Sequence, residues 1–355
     1  MKKDAKLTGN KGTYIILKDF EVTGGMSKVT FATLDGKEYF LKEFLSPKYP
    51  VDTSKAGGST TIEKKKQKCK KFEEHHKSLN DKIATKSGVG GNLVCTFDFF
   101  RSGTTYFKVT EKIDITSMSI GEIARMSEEQ KLLIMKTVTS SLKILHDLNI
   151  VHGDLKPDNV LIKKTTLDAY TTKLIDFDNS YISGNPPENN EDAIGDQVYY
   201  SPELAKYIIG KADTKAKDLT IKSDVFALGV LFSQYITGNR PEIESKYKYV
   251  WQAVLDGCIP VVKKVAVPNY IIGLISKMLA LNPTDRPDIS KVFDVLKGIN
   301  VTEFDISIST PDKPETGSTV SRESGLKGSL VKPTEDKTEP DPKTPKLKGK
   351  LIDKK

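Results

Sequence analysis

Cysteine is scarce. The 355 residues hold three, Cys69, Cys95 and Cys258, odd in number and far apart. That excludes a disulfide framework and a C-x-x-C metal site, which both need closely set pairs, and fits a reducing, cytoplasmic setting. Long apolar runs are missing too: none approaches the roughly 18 residues of a membrane span. The opening "MKKDAKLTGN" carries charge with no apolar core behind it, so neither an export signal nor an anchor is expected. Charge of one sign is not gathered into a block. The net charge of +8 mildly favours anionic partners such as phosphates, but the bases are interleaved with acids, which argues against nucleic acid. The densest cluster, "EKKKQKCKK" from Glu63 to Lys71, reads as a solvated helix face. Aromatic residues stop at Phe304, and the Pro-, Lys-, Thr- and Ser-rich remainder cannot bury enough apolar surface to offset its ordering entropy, so 305–355 is expected to be a disordered low-complexity tail.

What remains, with 37% hydrophobic and 29% charged residues, is the composition of an ordinary globular protein. From Tyr14 to Ile113 short β-prone runs recur ("YIILKDF", "KVTFATL", "EYFLKEF", "LVCTFDFF", "TYFKVTEKI"), separated by turns such as Asp35-Gly36. An antiparallel sheet follows from them. One helix interrupts it, where Cys69, Phe72, His76, Leu79 and Ile83 recur at helical spacing. After Ile120 the pattern turns helical, beginning at "SEEQKLLIMKTVTSSLKILHDL" with Ser127 as its cap. "DVFALGVLFSQYITG", Asp224 to Gly238, is apolar on nearly every side and reads as a helix buried within a larger helical body.

Between apolar runs stands "VHGDLKPDNVLI", Val151 to Ile162. Asp154 and Asn159 lie five residues apart on a loop, since Pro157 disfavours regular structure before it. "NVLI" and "TKLI" read as a hairpin that returns the chain to "DFD" and sets Asp176 beside Asn159. One carboxylate and one amide, completed by water and phosphate oxygens, suit Mg²⁺. Asp154 is then left to orient a hydroxyl. As isolated residues these Asp, Asn and Pro could equally be turn formers.

"HGDLKPDNVLI" followed by "LIDFD" and "SPE" resembles the catalytic core of the eukaryotic-like (Hanks-type) serine/threonine protein kinases, whose motifs are H-R-D with an Asn five residues on, D-F-G and A-P-E. The resemblance covers 14–300 and implies a bilobal α+β fold: a sheet lobe with one main helix over about 14–111 and a mainly helical lobe over about 114–300. It implies ATP and Mg²⁺ as cofactors and transfer of the γ-phosphate to Ser/Thr hydroxyls of protein substrates, the chain itself included. By it Asp154 accepts the hydroxyl proton, Lys156 neutralises the transferring phosphoryl group, and Asn159 and Asp176 hold the metal. The glycine-rich loop falls on "EVTGGMSKV", giving Val22, Gly24, Gly25, Ser27 and Val29 as nucleotide contacts. Lys42, a lone lysine in the apolar strand "YFLKEF", is similar to the lysine that meets the α- and β-phosphates. Its acidic partner belongs on the interrupting helix, where Glu73 lies about 90° from the middle of the apolar stripe and Glu74 about 170°; Glu73 is the choice. "FKVTEKID" resembles the hinge, with Glu111 and Ile113 meeting adenine and Thr110 gating the pocket behind it. Glu203 and Arg286 resemble a structural ion pair, and Asp224 the acid that holds the catalytic loop.

Two positions depart from the family. Gly153 replaces the arginine that receives an activating phosphate, so activity without obligatory phosphorylation is expected. Asp178 replaces the glycine of D-F-G. The rivals are a small-molecule phosphotransferase like the aminoglycoside and choline kinases, which share H-G-D, and a nucleotide-binding pseudokinase. The Ser/Thr-rich tail is a candidate for autophosphorylation or partner docking.

Overall fold

Burial alternates along the early strands as a sheet with one face on a core requires. The computed structural model describes residues 1–23, 27–51, 59–86, 91–113, 117–165, 169–187, 195–210, 214–263 and 265–305. Seven strands, β1 (Lys6–Thr8), β2 (Thr13–Ile16), β3 (Glu21–Thr23), β4 (Ser27–Leu34), β5 (Lys37–Phe44), β6 (Thr96–Ser102) and β7 (Thr105–Glu111), form one antiparallel sheet in the order β1-β2-β4-β5-β7-β6, with β3 on β4. Asp35 and Gly36 both take positive φ, 52° and 77°, and Leu34 pairs Lys37 around them, the twist that a tight two-residue hairpin demands. Strand β1 begins ahead of the expected domain start at residue 14 and buries Leu7. Asp98 on β6 accepts from Tyr14 Oη at 3.0 Å, Lys11 N at 3.1 Å and Asn10 Nδ2 at 3.1 Å, so the sheet curls until its two edges meet. Tyr14, Ile16, Leu41, Phe107 and Val109 fill the core beneath.

Helix α1 (Ser59–Ala84) buries one thin stripe, with Cys69 and His76 against the sheet and Leu79 and Ile83 in the core of the helical part, and leaves most of its lysines exposed. The described residues that follow the sheet are mainly helical: α2 (Ile120–Ala124), α3 (Glu128–Asp147), α4 (Pro202–Ile208), α5 (Lys222–Thr237), α6 (Val250–Leu255), α7 (Asn269–Met278) and α8 (Ile289–Leu296). Ser127 caps α3 as its position predicts, in a reciprocal box with Gln130. Helix α5 is buried on nearly all sides, with Phe226, Leu228, Leu231 and Phe232 fully enclosed among residues of α3, α7 and α8. It ends at Gly238, which adopts φ 80°. Between these helices lie β8 (Ile150–Val151), β9 (Val160–Lys164), β10 (Tyr170–Leu174) and β11 (Tyr181–Ile182), in two small pairs, β9 with β10 and β8 with β11. Phe304 is buried at the end of the described chain. The expected tail beyond it lies outside the described residues, apart from Asp305.

Candidate active site

Pro157 opens a single 3-10 turn, Pro157–Asn159, between β8 and β9. This turn folds the loop back on itself: Asn159 Nδ2 donates to the Asp154 carbonyl at 2.8 Å and to Asp154 Oδ2 at 3.1 Å. Lys156 Nζ lies 2.9 Å from the same Oδ2, and Asp196 N donates to Oδ1 at 2.9 Å. Asp154 is buried and held from three sides. The loop is in turn pinned from below by Asp224, in the first turn of α5, whose oxygens accept from His152 N at 2.7 Å and Gly153 N at 3.1 Å and contact His146 Nε2 at 3.0 Å.

The β9–β10 hairpin runs in register from Val160↔Leu174 and returns the chain to Asn159, whose carbonyl accepts from Ile175 N at 3.1 Å. Asp176 follows at φ 61°, ψ 68°. Left-handed backbone costs a non-glycine residue on the order of 1–2 kcal/mol, and such outliers cluster where a side chain must be aimed. Here it turns the carboxylate toward the sheet, where Lys42 Nζ of β5 binds Oδ1 at 2.9 Å and Oδ2 at 3.0 Å. Asp154, Lys156 and Asn159 are thus joined directly, and Asp176 and Lys42 adjoin them through one backbone bond. Asn159 spends its Nδ2 on Asp154, which leaves its amide oxygen as the atom able to ligate a metal. With the Asp176 carboxylate it makes a pair of hard oxygen ligands that fits Mg²⁺ completed by phosphate and water oxygens.

The expected Lys42–Glu73 pair is not formed. Glu73 Oε1 accepts from Tyr106 Oη at 2.6 Å, while Lys42 is taken by Asp176 and, at 2.6 Å, by Asp178 Oδ2. The stripe on α1 has two rims, and Glu73 occupies the one that faces β7. Glu74 is exposed beside Lys70. On the expected nucleotide side, Val22 of β3 is 68% exposed and pairs Lys28, Ser27 is buried, and Val29 lies opposite Lys42 across β4–β5. Gly24 and Gly25 lie outside the described residues. Thr110 sits opposite Phe40, Glu111 ends β7 in an exposed ion pair with Lys37, and Ile113 is half-buried just beyond.

Sequence reasoning missed Lys108. It is buried on β7, directly across from Lys42, and forms an ion pair with Asp178 Oδ1. Its signal was available, because "YFKVT" is the same lone lysine in an apolar strand that singled out Lys42. Burial raises the Asp178 carboxyl, but Lys108 and then Lys42 outweigh it and hold the group well below the usual carboxylate range. For Lys42 burial lowers and the Asp178 and Asp176 carboxylates raise; the carboxylates prevail and keep it charged. Above them His76, stacked on Phe99, is pushed down to about 3 by burial and is neutral at physiological pH.

Residues 53–295 match the protein kinase domain family. The chain belongs to the protein kinase family. It is 29% identical over 209 residues to the serine/threonine-protein kinase PSK2 of Saccharomyces cerevisiae, covering 57% of this chain and 17% of that protein. It is 27% identical over 232 residues to the meiosis-specific serine/threonine-protein kinase mek1 of Schizosaccharomyces pombe, covering 63% of this chain and 49% of that protein. The matched part spans less than half the length of either relative.

Within this kinase domain the two departures have structural counterparts. Gly153 adopts φ 79°, and a Cβ there would collide with the carbonyl oxygen of Asn179. The backbone after the "DFD" segment therefore occupies the space that a side chain at position 153 would need. Farther away, Arg286 and Glu203 meet in a buried two-pronged pair at 2.7 and 2.8 Å. Ser223 Oγ donates to Glu203 Oε1 at 2.8 Å, next to the loop-holding Asp224. Among the described residues, no helix is long and apolar enough to cross a membrane.

Proposed function

We propose that the chain transfers the γ-phosphate of ATP to serine and threonine hydroxyls of protein substrates. The observation that supports this best is the joined set Asp154–Lys156–Asn159, set beside Asp176 and reached from the sheet by Lys42. In this reading the set supplies a base, two oxygen ligands and two ammonium groups to the reaction. Phosphoryl transfer needs little more, since positioning and charge stabilisation supply most of the acceleration.

Asp154 orients the acceptor hydroxyl and takes its proton as the new oxygen–phosphorus bond forms and the bond to the β-phosphate oxygen breaks. Its carboxylate is held by Asn159, Lys156 and the backbone of Asp196, so its aim is fixed before substrate arrives. Lys156 sits at that carboxylate to offset charge on the moving phosphoryl group. Lys42 contacts the α- and β-phosphates, and Thr110, Glu111 and Ile113 border the adenine. Bound through Asn159 and Asp176, Mg²⁺ would supply charge neutralisation at the phosphate oxygens. The collision that excludes a side chain at Gly153 supports activity without obligatory phosphorylation of the activation segment. The Ser/Thr-rich residues beyond 305 are proposed as sites of self-modification.

The test is labelled ATP with Mg²⁺, offered with protein and with small-molecule acceptors. Label is expected in Ser/Thr of protein, lost by about 10²–10⁴-fold in Asp154→Ala. Label only in a small molecule, or none above that variant, overturns the reading. Mass spectrometry of the phosphatase-treated and then ATP-incubated chain reports whether the tail is modified.

A further inference from the structure

Two ammonium groups stand side by side behind the proposed nucleotide site, Lys42 on β5 and Lys108 on β7, paired in register across the sheet. Neighbouring buried cations repel strongly unless an anion divides them. The anion is Asp178: one carboxylate oxygen meets Lys108 and the other lies 2.6 Å from Lys42. Asp176 completes the group, 2.9 Å from Lys42 and 3.9 Å from Lys108, so two positive and two negative charges balance. Among the described residues, no acid on helix α1 pairs with either lysine. Glu73 is engaged by Tyr106, Glu74 faces outward, and the two α1 histidines near Asp178, His75 and His76, are both pushed down by burial, His76 packed among Phe44, Phe72 and Phe99.

We propose that Asp178, braced by Lys108, is the positioning acid for Lys42, in place of an acid on helix α1. The inference rests on the reading of Lys42 as the phosphate-contacting lysine. The two carboxylates on Lys42 are not equivalent. Asp176 is 36% exposed and has a second duty toward the metal; Asp178 is 12% exposed and has none. Asp178 is thus the partner free to hold Lys42 whether or not nucleotide is bound. Lys108 keeps that carboxylate aimed at Lys42, a contact that a glycine at position 178 could not make. The arrangement couples the lysine to the segment carrying the metal ligand, and makes its orientation independent of where α1 lies.

The test compares the full chain with Asp178→Asn, Asp178→Glu, Asp178→Asn/Lys108→Met and Glu73→Gln. For each, the affinity for ATP with Mg²⁺ is measured by calorimetry, kcat and KM by turnover, and the thermal midpoint by scanning calorimetry. Asp178→Asn is expected to weaken nucleotide binding and lower kcat/KM by about tenfold or more, as loss of a charge-assisted contact does. Asp178→Glu restores part of this. The double variant leaves no uncompensated buried charge, so it regains the thermal midpoint of the unaltered chain while its nucleotide affinity stays low. Glu73→Gln loses less affinity than Asp178→Asn. The proposal is overturned if the double variant binds nucleotide as tightly as the unaltered chain, which is the behaviour of a merely structural pair, or if Glu73→Gln is the more damaging change. An unaltered chain that neither binds ATP nor transfers phosphate removes the kinase reading and this inference together; an active chain indifferent to Asp178→Asn removes the inference alone.

Discussion

Replacing Glu203 by glutamine tests how much of this fold hangs on one ion pair. Arg286 is 1% exposed, and every N–H of its guanidinium has an acceptor: Glu203 twice, and the carbonyls of Ala280, Lys222 and Leu281 at 2.9, 3.0 and 3.0 Å. The ring of Phe226 lies 5.0 Å beneath it. Glutamine keeps the shape but removes the countercharge and turns an amide N–H₂ toward a donor. A buried cation left uncompensated costs about 3–5 kcal/mol. At roughly 2–4 °C per kcal/mol for a domain of this size, scanning calorimetry should find the midpoint lowered by about 6–20 °C. The paired replacement Glu203→Leu with Arg286→Met removes both charges and should recover at least half of that drop. A fall of less than about 2 °C in Glu203→Gln, or a double variant as unstable as the two singles summed, would refute the claim that countercharge is what matters there.

Gly153→Ala forces a side chain into left-handed backbone against the Asn179 carbonyl; a loss of about 1–3 kcal/mol in urea unfolding is expected, with a larger fractional loss of turnover because Asn179 follows the "DFD" segment. His76 should make the chain acid-sensitive. Its folded pKa is depressed to about 3, below the ordinary 6.5, so the unfolded chain binds the extra proton between those values. Stability is fully present above about pH 6.5 and falls as pH drops toward 3, by up to about 1.4 kcal/mol per unit. His76→Phe, which suits the surrounding rings, should flatten that slope in denaturant titrations at pH 6.5, 5.5 and 4.5; an unchanged slope assigns the acid loss to other groups.

The parts of the site that could be read from sequence are those whose geometry is local. Pro157 breaking the loop, five residues between Asp154 and Asn159, and a hairpin short enough to have one register together put Asp176 beside Asn159 before any tertiary contact is known. Lys42 was legible as a charge that an apolar strand does not spare without cause. Lys108 offered the same pattern but no local partner, since Asp178 is 70 residues away. Glu73 failed for a different reason. A helical wheel gives the distance of a residue from the middle of a stripe but not which rim faces which strand, and Tyr106 was waiting on that side. Strand β1 escaped notice because three residues with one buried leucine carry almost no periodic signal. Its place is fixed instead by Asp98, far along the chain, through the turn after it.

The family match begins at residue 53, yet β5 is bonded to β7 from Tyr39↔Glu111 to Glu43↔Phe107. A polypeptide trimmed to the matched span would lose five strands and Lys42, and would bare a row of amide and carbonyl groups along β7. Unprotected rims of that kind recruit other chains and drive self-association. The boundary that similarity draws thus runs through the middle of a hydrogen-bonded layer, and the smallest unit able to stay monomeric must reach back to the first strand.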